Sequence, residues 1–295
     1  METKYFFDDP FRCVACAAHA VRFTRTSLFA SLLKLSIAGA FTYLFGLAPL
    51  LAQGGSVSIS ANGVVNAASY VGGSVSPGEI VAIFGSGLGP STLVGLQLDS
   101  RGYVSTSLAG TQVLFDGVAA PLIYTWAGQV SAVVPYEVSG KTSTQIQVSY
   151  QNQNSNLVAI PVTNAVPGIF TMDASGRGQG AIVNQDGTVN SASNPAAVGS
   201  YVSVFATGEG QTRPGGIDGK PGDTPAPTPI AQPVTVTVGG LNAQVQYAGG
   251  APGQLAGLLQ VNVQLPLKIA AGPSVPIVLS MGGQASQASV TLSVR

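Results

Sequence analysis

Two stretches of twelve residues repeat one pattern, and this repetition constrains the fold more than any other feature of the chain. Residues 78–89 read GEIVAIFGSGLG, and residues 199–210 read GSYVSVFATGEG. In both stretches a run rich in β-branched and aromatic residues follows a glycine and ends in a cluster of glycines. Apolar runs of this length that stop at glycine favour a buried strand closed by a tight turn over a helix. The sequence therefore predicts a duplicated β-protein.

The composition agrees with many short strands. At 295 residues the chain is long enough for two domains that each bury a core. Charged residues make up 8% of it, against about 25% in an average soluble domain. Glycine (38) and proline (19) are abundant, and both favour turns and interrupt helices. The 45% hydrophobic content is high enough to form cores, so we expect a folded, all-β chain.

The charge balance excludes one class of partner. Lys and Arg together number 12, as do Asp and Glu, so the formal net charge is zero. Without a positive field, counterion release does not drive binding to phosphate backbones, and we expect no nucleic-acid partner. Low charge with many hydroxyl and amide side chains is instead common on extracellular bacterial β-proteins. The expected partner is a cell-envelope protein or a polysaccharide.

The first 52 residues resemble an export signal. Basic residues, among them Arg25 and Lys34, precede an apolar run over residues 35–51, and the small residue Ala52 follows. This order is typical of a secretory signal peptide, so we predict cleavage after Ala52 and a secreted or cell-surface protein. The run is shorter than the roughly 20 residues of a membrane-spanning helix. An uncleaved segment that anchors the protein in a membrane is the alternative.

Both cysteines and the only histidine lie upstream of that apolar run. Cys13, Cys16 and His19 do not form the Cys-x-x-Cys-His pattern of haem attachment, and three such residues do not complete a tetrahedral zinc site. We interpret them as part of a long leader. Cleavage after Ala52 would leave a chain without cysteine or histidine, which excludes disulfides, thiol nucleophiles and histidine bases. We therefore expect no cofactor and no metal.

The chain divides into four segments on this interpretation. The signal peptide with its long leader covers residues 1–52, a first β-sandwich covers 57–165, a connector with a β-hairpin covers 166–196, and a second sandwich covers 197–295. A long Pro/Gly loop, residues 211–233, lies in the second sandwich and is expected to be exposed. Asp116-Gly117 predicts a tight hairpin, because glycine readily adopts a positive φ. Period-two alternation in 144–150 predicts a strand with Ile146 and Val148 facing inward.

Three motifs carry a resemblance to a known family. Residues 77–89 (PGEIVAIFGSGLG), 113–121 (VLFDGVAAP) and 129–135 (QVSAVVP) resemble the IPT/TIG immunoglobulin-like domain. With 166–173 (VPGIFTMD) and 208–212 (GEGQT), the region 66–294 is similar to the uncharacterised C-terminal domain named for Solibacter proteins of acidobacteria. The resemblance implies two tandem immunoglobulin-like β-sandwiches, joined by a short connector and preceded by a hydrophobic signal helix. It implies no activity.

The candidate ligand-binding residues are Trp126 and Tyr124. Trp126 is the only tryptophan, and it stands with Tyr124 next to a turn at Ala127-Gly128. An aromatic side chain at the tip of a sandwich stacks readily on a sugar ring. The alternative is that Trp126 covers the edge of the core.

Three functions are consistent with these features. The first is a non-catalytic module for adhesion, surface assembly or binding of a ligand such as a glycan, and the second is a structural unit of the kind appended to longer secreted proteins. The third is an extracellular glycoside hydrolase, because that chemistry needs only two carboxylates. The available carboxylates are Glu79, Asp116, Glu137, Asp173, Asp186, Glu209, Asp218 and Asp223. None forms a recognisable catalytic motif, so we expect no catalytic residue.

Overall fold

The computed structural model describes residues 56–221 and 233–295. The predicted signal peptide, with Cys13, Cys16 and His19, lies outside these ranges. Within them the chain forms strands and one 3-10 helix, Tyr136–Val138, and no α-helix. No helix in these two ranges is long and apolar enough to cross a membrane.

The first unit contains ten strands in two sheets. They are β1 (Ser58–Asn66), β2 (Ile80–Ser86), β3 (Val94–Gly95), β4 (Thr111–Phe115), β5 (Val118–Ala119), β6 (Leu122–Trp126), β7 (Gln129–Val133), β8 (Ser143–Tyr150), β9 (Gln153–Asn154) and β10 (Val158–Pro161). One sheet has the order β1-β2-β7-β6-β3, and the other has β10-β8-β4-β5 with β9 paired to β8. Val81, Phe115 and Ile146 belong to the apolar cluster of this unit.

Two local predictions are confirmed in this unit. Phe115 pairs with Val118, so Asp116 and Gly117 form a two-residue hairpin loop, and both have positive φ (50° and 86°). That pair of angles matches the twist of the flanking strands, which is why Asp-Gly is favoured here. In β8, Ile146 and Val148 are buried, as the alternation predicts.

The second unit contains the remaining ten strands. They are β11 (Gly168–Ile169), β12 (Gly178–Gln179), β13 (Ile182–Asn184), β14 (Tyr201–Thr207), β15 (Val234–Val238), β16 (Leu241–Gly250), β17 (Leu259–Gln264), β18 (Gly272–Met281), β19 (Gln284–Ala285) and β20 (Val290–Val294). They form one continuous sheet in the order β11-β14-β17-β16-β15-β18-β20-β12, with β13 on β14 and β19 on β18. Its apolar residues form a second, separate cluster.

The two repeated stretches occupy equivalent places in the two units. The first forms β2 and pairs antiparallel with β7, with Phe84 opposite Gln129. The second forms β14 and pairs antiparallel with β17, with Phe205 opposite Gln260. The strand pairs β4–β8 and β8–β10 of the first unit correspond to β15–β18 and β18–β20 of the second. Each repeated stretch therefore forms a strand that pairs antiparallel with a later strand of the same unit.

One proline explains why the first unit has two sheets and the second has one. Pro121 separates β5 from β6, because it has no N–H to donate to a strand ladder. At the equivalent position of the second unit, Gln244 lies within the continuous strand β16 and pairs with Gln264 of β17. That ten-residue strand therefore connects the two layers of the second unit.

The predicted connector differs from the observed structure. The expected hairpin is present as a bridge between Val183 and Val189 around Asp186-Gly187. However, β11 and β13 pair with β14, and β12 pairs with β20, so residues 166–196 contribute to the sheet of the second unit. Ile169 and Ile182 are buried in the apolar cluster of that unit, which is the reason these short strands attach to it.

The described part of the predicted exposed loop also differs from expectation. Residues 211–221 return to the first unit, where the Tyr136 N–H donates to Asp218 Oδ1 (3.0 Å) and the Val104 N–H donates to the Gly219 carbonyl (2.8 Å). Prolines keep this segment out of a sheet interior, but they do not prevent such contacts. Residues 222–232 lie outside the described ranges.

A third apolar cluster joins the two units, and we call it the junction cluster. The first unit contributes Ile80, Tyr124 and Val133 from the outer face of its first sheet. The second contributes Phe170 and Leu258, among others. This explains why β2 is buried on both faces: Val81 and Ile83 face the core of the first unit, whereas Ile80 faces the junction.

Candidate functional site

The two aromatic residues predicted to bind a ligand lie at the junction cluster. Tyr124 is 3% exposed, and its hydroxyl accepts a 2.8 Å hydrogen bond from Gln129 Nε2. Trp126 is partly buried and packs against the cluster. A Cβ added to Gly128 would lie 3.2 Å from Trp126 Cη2, so the indole covers that glycine. Of the two rings, Trp126 alone keeps exposed surface for a ligand.

Three of the eight candidate carboxylates stabilise turns. Asp116 Oδ2 forms an ion pair with Lys141 Nζ (2.8 Å), and Asp116 Oδ1 accepts from the Gln145 N–H (2.8 Å). These bonds, that from Lys141 first, lower the pKa of Asp116. Asp186 accepts from Thr188, and Asp173 accepts from Ser175, each two residues further along the chain. Asp223 lies outside the described residues.

Glu79 is a buried carboxyl group with a complete set of donors. Its Oε2 accepts from the Ser76 N–H (2.7 Å), and its Oε1 accepts from Asn66 Nδ2 (2.9 Å). The same Asn66 nitrogen donates to the Val166 carbonyl (2.9 Å), across the boundary between the units. Burial raises the pKa of Glu79 to about 8 in spite of the hydrogen bonds, which act to lower it. These contacts give Glu79 a structural role at the junction.

A pocket of about 160 Å³ opens beside the junction. Its wall comes from the 3-10 helix of the first unit, the end of the second glycine cluster, the segment 212–221, and the β16–β17 connection. The lining residues are Tyr136, Glu209, Thr212, Pro214, Gly215, Gly216, Ile217, Lys220, Pro221, Gly250, Ala251, Gln254, Leu255, Ala256 and Gly257. The pocket is therefore a feature of the pair of units, because neither unit forms it alone.

Tyr136 is held at the pocket by glycines from both units. A Cβ on Gly78, from the first unit, would lie 2.7 Å from the tyrosine ring, and a Cβ on Gly216, from the second, would overlap the ring. Because both positions are glycine, the two backbones can approach the ring from either side. The Tyr136 hydroxyl then reaches Glu209 Oε1, at 3.5 Å.

Glu209 differs from Glu79 in that its carboxyl group is not saturated with donors. The residue is 1% exposed, its Oε1 has only the long contact with Tyr136, and its Oε2 has no hydrogen-bond partner within the described chain. Burial raises its pKa to about 7, and the hydrogen bond from Tyr136 opposes this effect. Near neutral pH this carboxyl group is therefore present in both forms, and it can accept or donate a hydrogen bond.

The described residues offer no metal centre. No group of three or more His, Cys, Asp or Glu side chains in residues 56–221 and 233–295 is placed to hold a metal ion. The chemistry available at the pocket is hydrogen bonding by Glu209, Tyr136, Thr212, Gln254 and Lys220, together with apolar contact.

The sequence analysis did not identify this pocket, although one signal was present. Aligning the two repeated stretches places Glu209 opposite Leu88, which is fully buried in the core of the first unit. A carboxylate at the position of a core leucine is unusual, because burying a charge without a partner is costly. The substitution indicates that the second unit uses this position for something other than packing.

The comparison with domain families supports the resemblance noted from the motifs. Residues 64–162 match the IPT/TIG domain, which covers about a third of the chain and most of the first unit. An immunoglobulin-like domain of the IPT/TIG class is therefore present in the first unit. Among curated proteins, none matches the chain at a significant level.

Several solved structures share a distant similarity. SGBP-B from a complex xyloglucan utilization locus in Bacteroides uniformis is 11% identical (TM-score 0.26), the full extracellular region of plexin A4 is 10% identical (0.27), and domains 4–9 of the surface layer protein SbsC are 15% identical (0.18). Each similarity covers 81% of this chain, which spans 50%, 16% and 30% of those chains respectively. At these scores the similarities carry no argument about function.

Proposed function

We propose that the chain is a non-catalytic secreted or cell-surface protein, in which two tandem immunoglobulin-like sandwiches form one rigid pair for adhesion, surface assembly or ligand binding. The junction is the observation that carries the proposal. Units of one chain move relative to each other by default unless their interface is large and apolar. Here an apolar cluster and hydrogen bonds such as Asn66 Nδ2 to the Val166 carbonyl join the units. The loops are thereby presented at a fixed spacing.

Four further points support a role at the cell surface. IPT/TIG domains are generally non-catalytic, and the first unit contains one. The order of basic, apolar and small residues before Gln53 fits export with cleavage after Ala52. The zero net charge fits a partner in the cell envelope, either a protein or a polysaccharide. The resemblance to the Solibacter-type C-terminal domain fits a structural unit of secreted proteins.

Glycoside hydrolysis is the alternative, and the pocket gives it little support. Hydrolysis of a glycosidic bond uses two carboxyl groups that flank the bond. Among the described residues that line the pocket, Glu209 is the only one with a carboxyl group. Asp218 lies nearby, but its Oδ1 accepts a hydrogen bond from the Tyr136 N–H.

The test has two arms. Cells that produce the full chain are fractionated, and the intact mass of the exported form is measured, with a new N-terminus at Gln53 expected. The exported form is then used to capture partners from the cell envelope and is assayed on a panel of glycosides and esters. Retention in the cytosol, or turnover that disappears when one carboxylate is mutated, would contradict the proposal.

Trp126 is the candidate for glycan contact outside the pocket. Its partly exposed ring leaves one surface for stacking on a sugar. Glycan-array binding by the exported protein is compared with that of Trp126→Ala, with folding checked by circular dichroism. Equal glycan binding by the wild type and Trp126→Ala would show that Trp126 is not part of a glycan site.

A further inference from the structure

Two buried acceptor oxygens, one in the pocket wall and one on a residue next to it, have no hydrogen-bond donor within the described chain. Glu209 Oε2 is buried and without a partner, and so is Gln211 Oε1. The Gln211 amide lies against the pocket wall, since its Nε2 is 3.5 Å from the position of a Cβ on Gly215, a lining residue. A buried acceptor left without a donor costs about 1–3 kcal/mol. Glu209 lines the pocket itself, so its unpartnered oxygen indicates that a ligand supplies a donor there.

The remaining wall limits the size and polarity of that ligand. Ile217 and Leu255 contribute apolar side chains, while Thr212 contributes a hydroxyl group. The volume of about 160 Å³ is close to the roughly 150 Å³ of an engineered apolar cavity that binds benzene, so the pocket has room for one six-membered ring. A ligand of this size needs apolar ring carbons for one part of the wall and hydroxyl donors for the other.

We propose that this pocket binds one neutral sugar residue, either a free monosaccharide or the terminal residue of a glycan, with Glu209 accepting hydrogen bonds from its hydroxyl groups. The inference rests on the proposed binding function and names its ligand class. Adjacent hydroxyl groups on a sugar ring are spaced to donate to two acceptors, and the carbons between them contact the apolar part of the wall.

Glu209 favours a neutral ligand over a cation, because a carboxyl group with a pKa of about 7 is only partly ionised near neutral pH. Lys220 lines the same pocket. The titratable groups that the charge of Glu209 reaches are Tyr136 of the 3-10 helix and Tyr247 of β16, and that charge helps to raise the pKa of both tyrosines. Asp218 and Glu137 interact with each other, and Asp218 accepts from the Tyr136 N–H. A carboxyl group with a pKa of about 7 accepts a hydrogen bond from a hydroxyl group when it is ionised, and it can donate one when it is protonated.

The experiment is a titration of the full chain, labelled with nitrogen-15, with methyl glycosides of glucose, galactose, mannose, xylose and N-acetylglucosamine. Binding is followed by amide shifts in NMR spectra, and Gly215, Gly216 and Gly257 report on the pocket. At least one glycoside is expected to give saturable shifts at these glycines. Oligosaccharides that end in the same sugar distinguish a free monosaccharide from the terminal residue of a glycan. If the ligand is a glycan, the oligosaccharide is expected to bind at least as well as the methyl glycoside. Methylammonium serves as the cationic probe.

Two variants and one control connect binding to the pocket. Glu209→Gln keeps the shape and removes the carboxylate, and it is expected to weaken binding at least tenfold. Ala256→Leu adds volume to the wall without changing Glu209, and it is expected to abolish binding. Asp186→Asn removes a carboxylate from an exposed hairpin outside the lining, and should change the affinity less than twofold. The spectrum of each variant confirms that it is folded.

Three results would overturn the proposal. One is the absence of saturable shifts with every glycoside, and another is binding that neither Glu209→Gln nor Ala256→Leu weakens. The third is binding of methylammonium at these glycines while no sugar binds. None of these results would affect the proposed surface function, because export and capture of envelope partners are measured separately.

Discussion

The N–H of Ile80, at the start of β2, donates a 2.8 Å hydrogen bond to Thr207 Oγ1, at the end of β14. The same hydroxyl group donates to the Gly257 carbonyl, also at 2.8 Å. One side chain of the second unit thus satisfies a buried amide of the first unit and a carbonyl of its own. The two repeated stretches meet at this point, so the duplication supplies both sides of the junction.

Replacing Thr207 with valine should destabilise the junction. Valine has nearly the same shape, but it leaves the Ile80 N–H and the Gly257 carbonyl buried without partners. We expect a loss of about 1–3 kcal/mol in the free energy of unfolding, measured by chemical denaturation.

Two controls distinguish the loss of the Thr207 hydroxyl group from other effects of a threonine-to-valine substitution. Thr207→Ser keeps the oxygen and should retain most of the stability. Thr235→Val changes an exposed threonine in β15 and should alter the stability by less than about 0.5 kcal/mol. Wild-type stability in Thr207→Val would show that this hydrogen bond contributes nothing.

Gly216→Ala should disturb the position of Tyr136. The new Cβ would overlap the tyrosine ring, which Gly78 confines from the other side. Overpacking of this kind costs about 1–3 kcal/mol, and we expect that loss by thermal unfolding together with a shift of the Tyr136 ring resonances.

Gly215 provides a matched control for this prediction. It is adjacent to Gly216, yet a Cβ there would meet no atom nearer than 3.5 Å. Gly215→Ala should therefore change the stability by less than about 0.5 kcal/mol. Equal effects of the two substitutions would contradict the steric role assigned to Gly216.

The sequence predicted those parts of the fold that depend on neighbouring residues. Asp116-Gly117 predicted its hairpin, since the turn conformation depends on those two residues, and the alternation in β8 predicted its buried face. The apolar run of β2 indicated a buried strand. It did not indicate that Ile80 faces a second unit, because that contact joins residues 127 positions apart.

The candidate site was less predictable, for a similar physical reason. Tyr124 and Trp126 are conspicuous as aromatic residues beside a turn, but the junction covers most of their surface, and no local pattern encodes that packing. Glu79 and Glu209 look alike in the sequence as acidic residues beside a repeated strand. They differ in how many donors surround them, which depends on contacts between distant segments.

The pH dependence of stability tests the burial of Glu209. Its pKa is about 7 in the folded protein, against about 4.5 when exposed. As the pH rises between these values, the unfolded chain loses a proton that the folded chain keeps, so stability falls and then levels off above pH 7. The raised pKa values of Glu79, about 8, and Asp218, about 6, act in the same direction.

Glu209→Gln removes the contribution of this carboxyl group and leaves those of Glu79 and Asp218 in place. Chemical denaturation at pH 5 and pH 8 should therefore show that the variant gains about 2–3 kcal/mol relative to the wild type as the pH is raised. If Glu209→Gln kept a constant offset from the wild type, Glu209 would titrate normally in the folded protein, and its carboxyl group would have to be reached by water or by another donor.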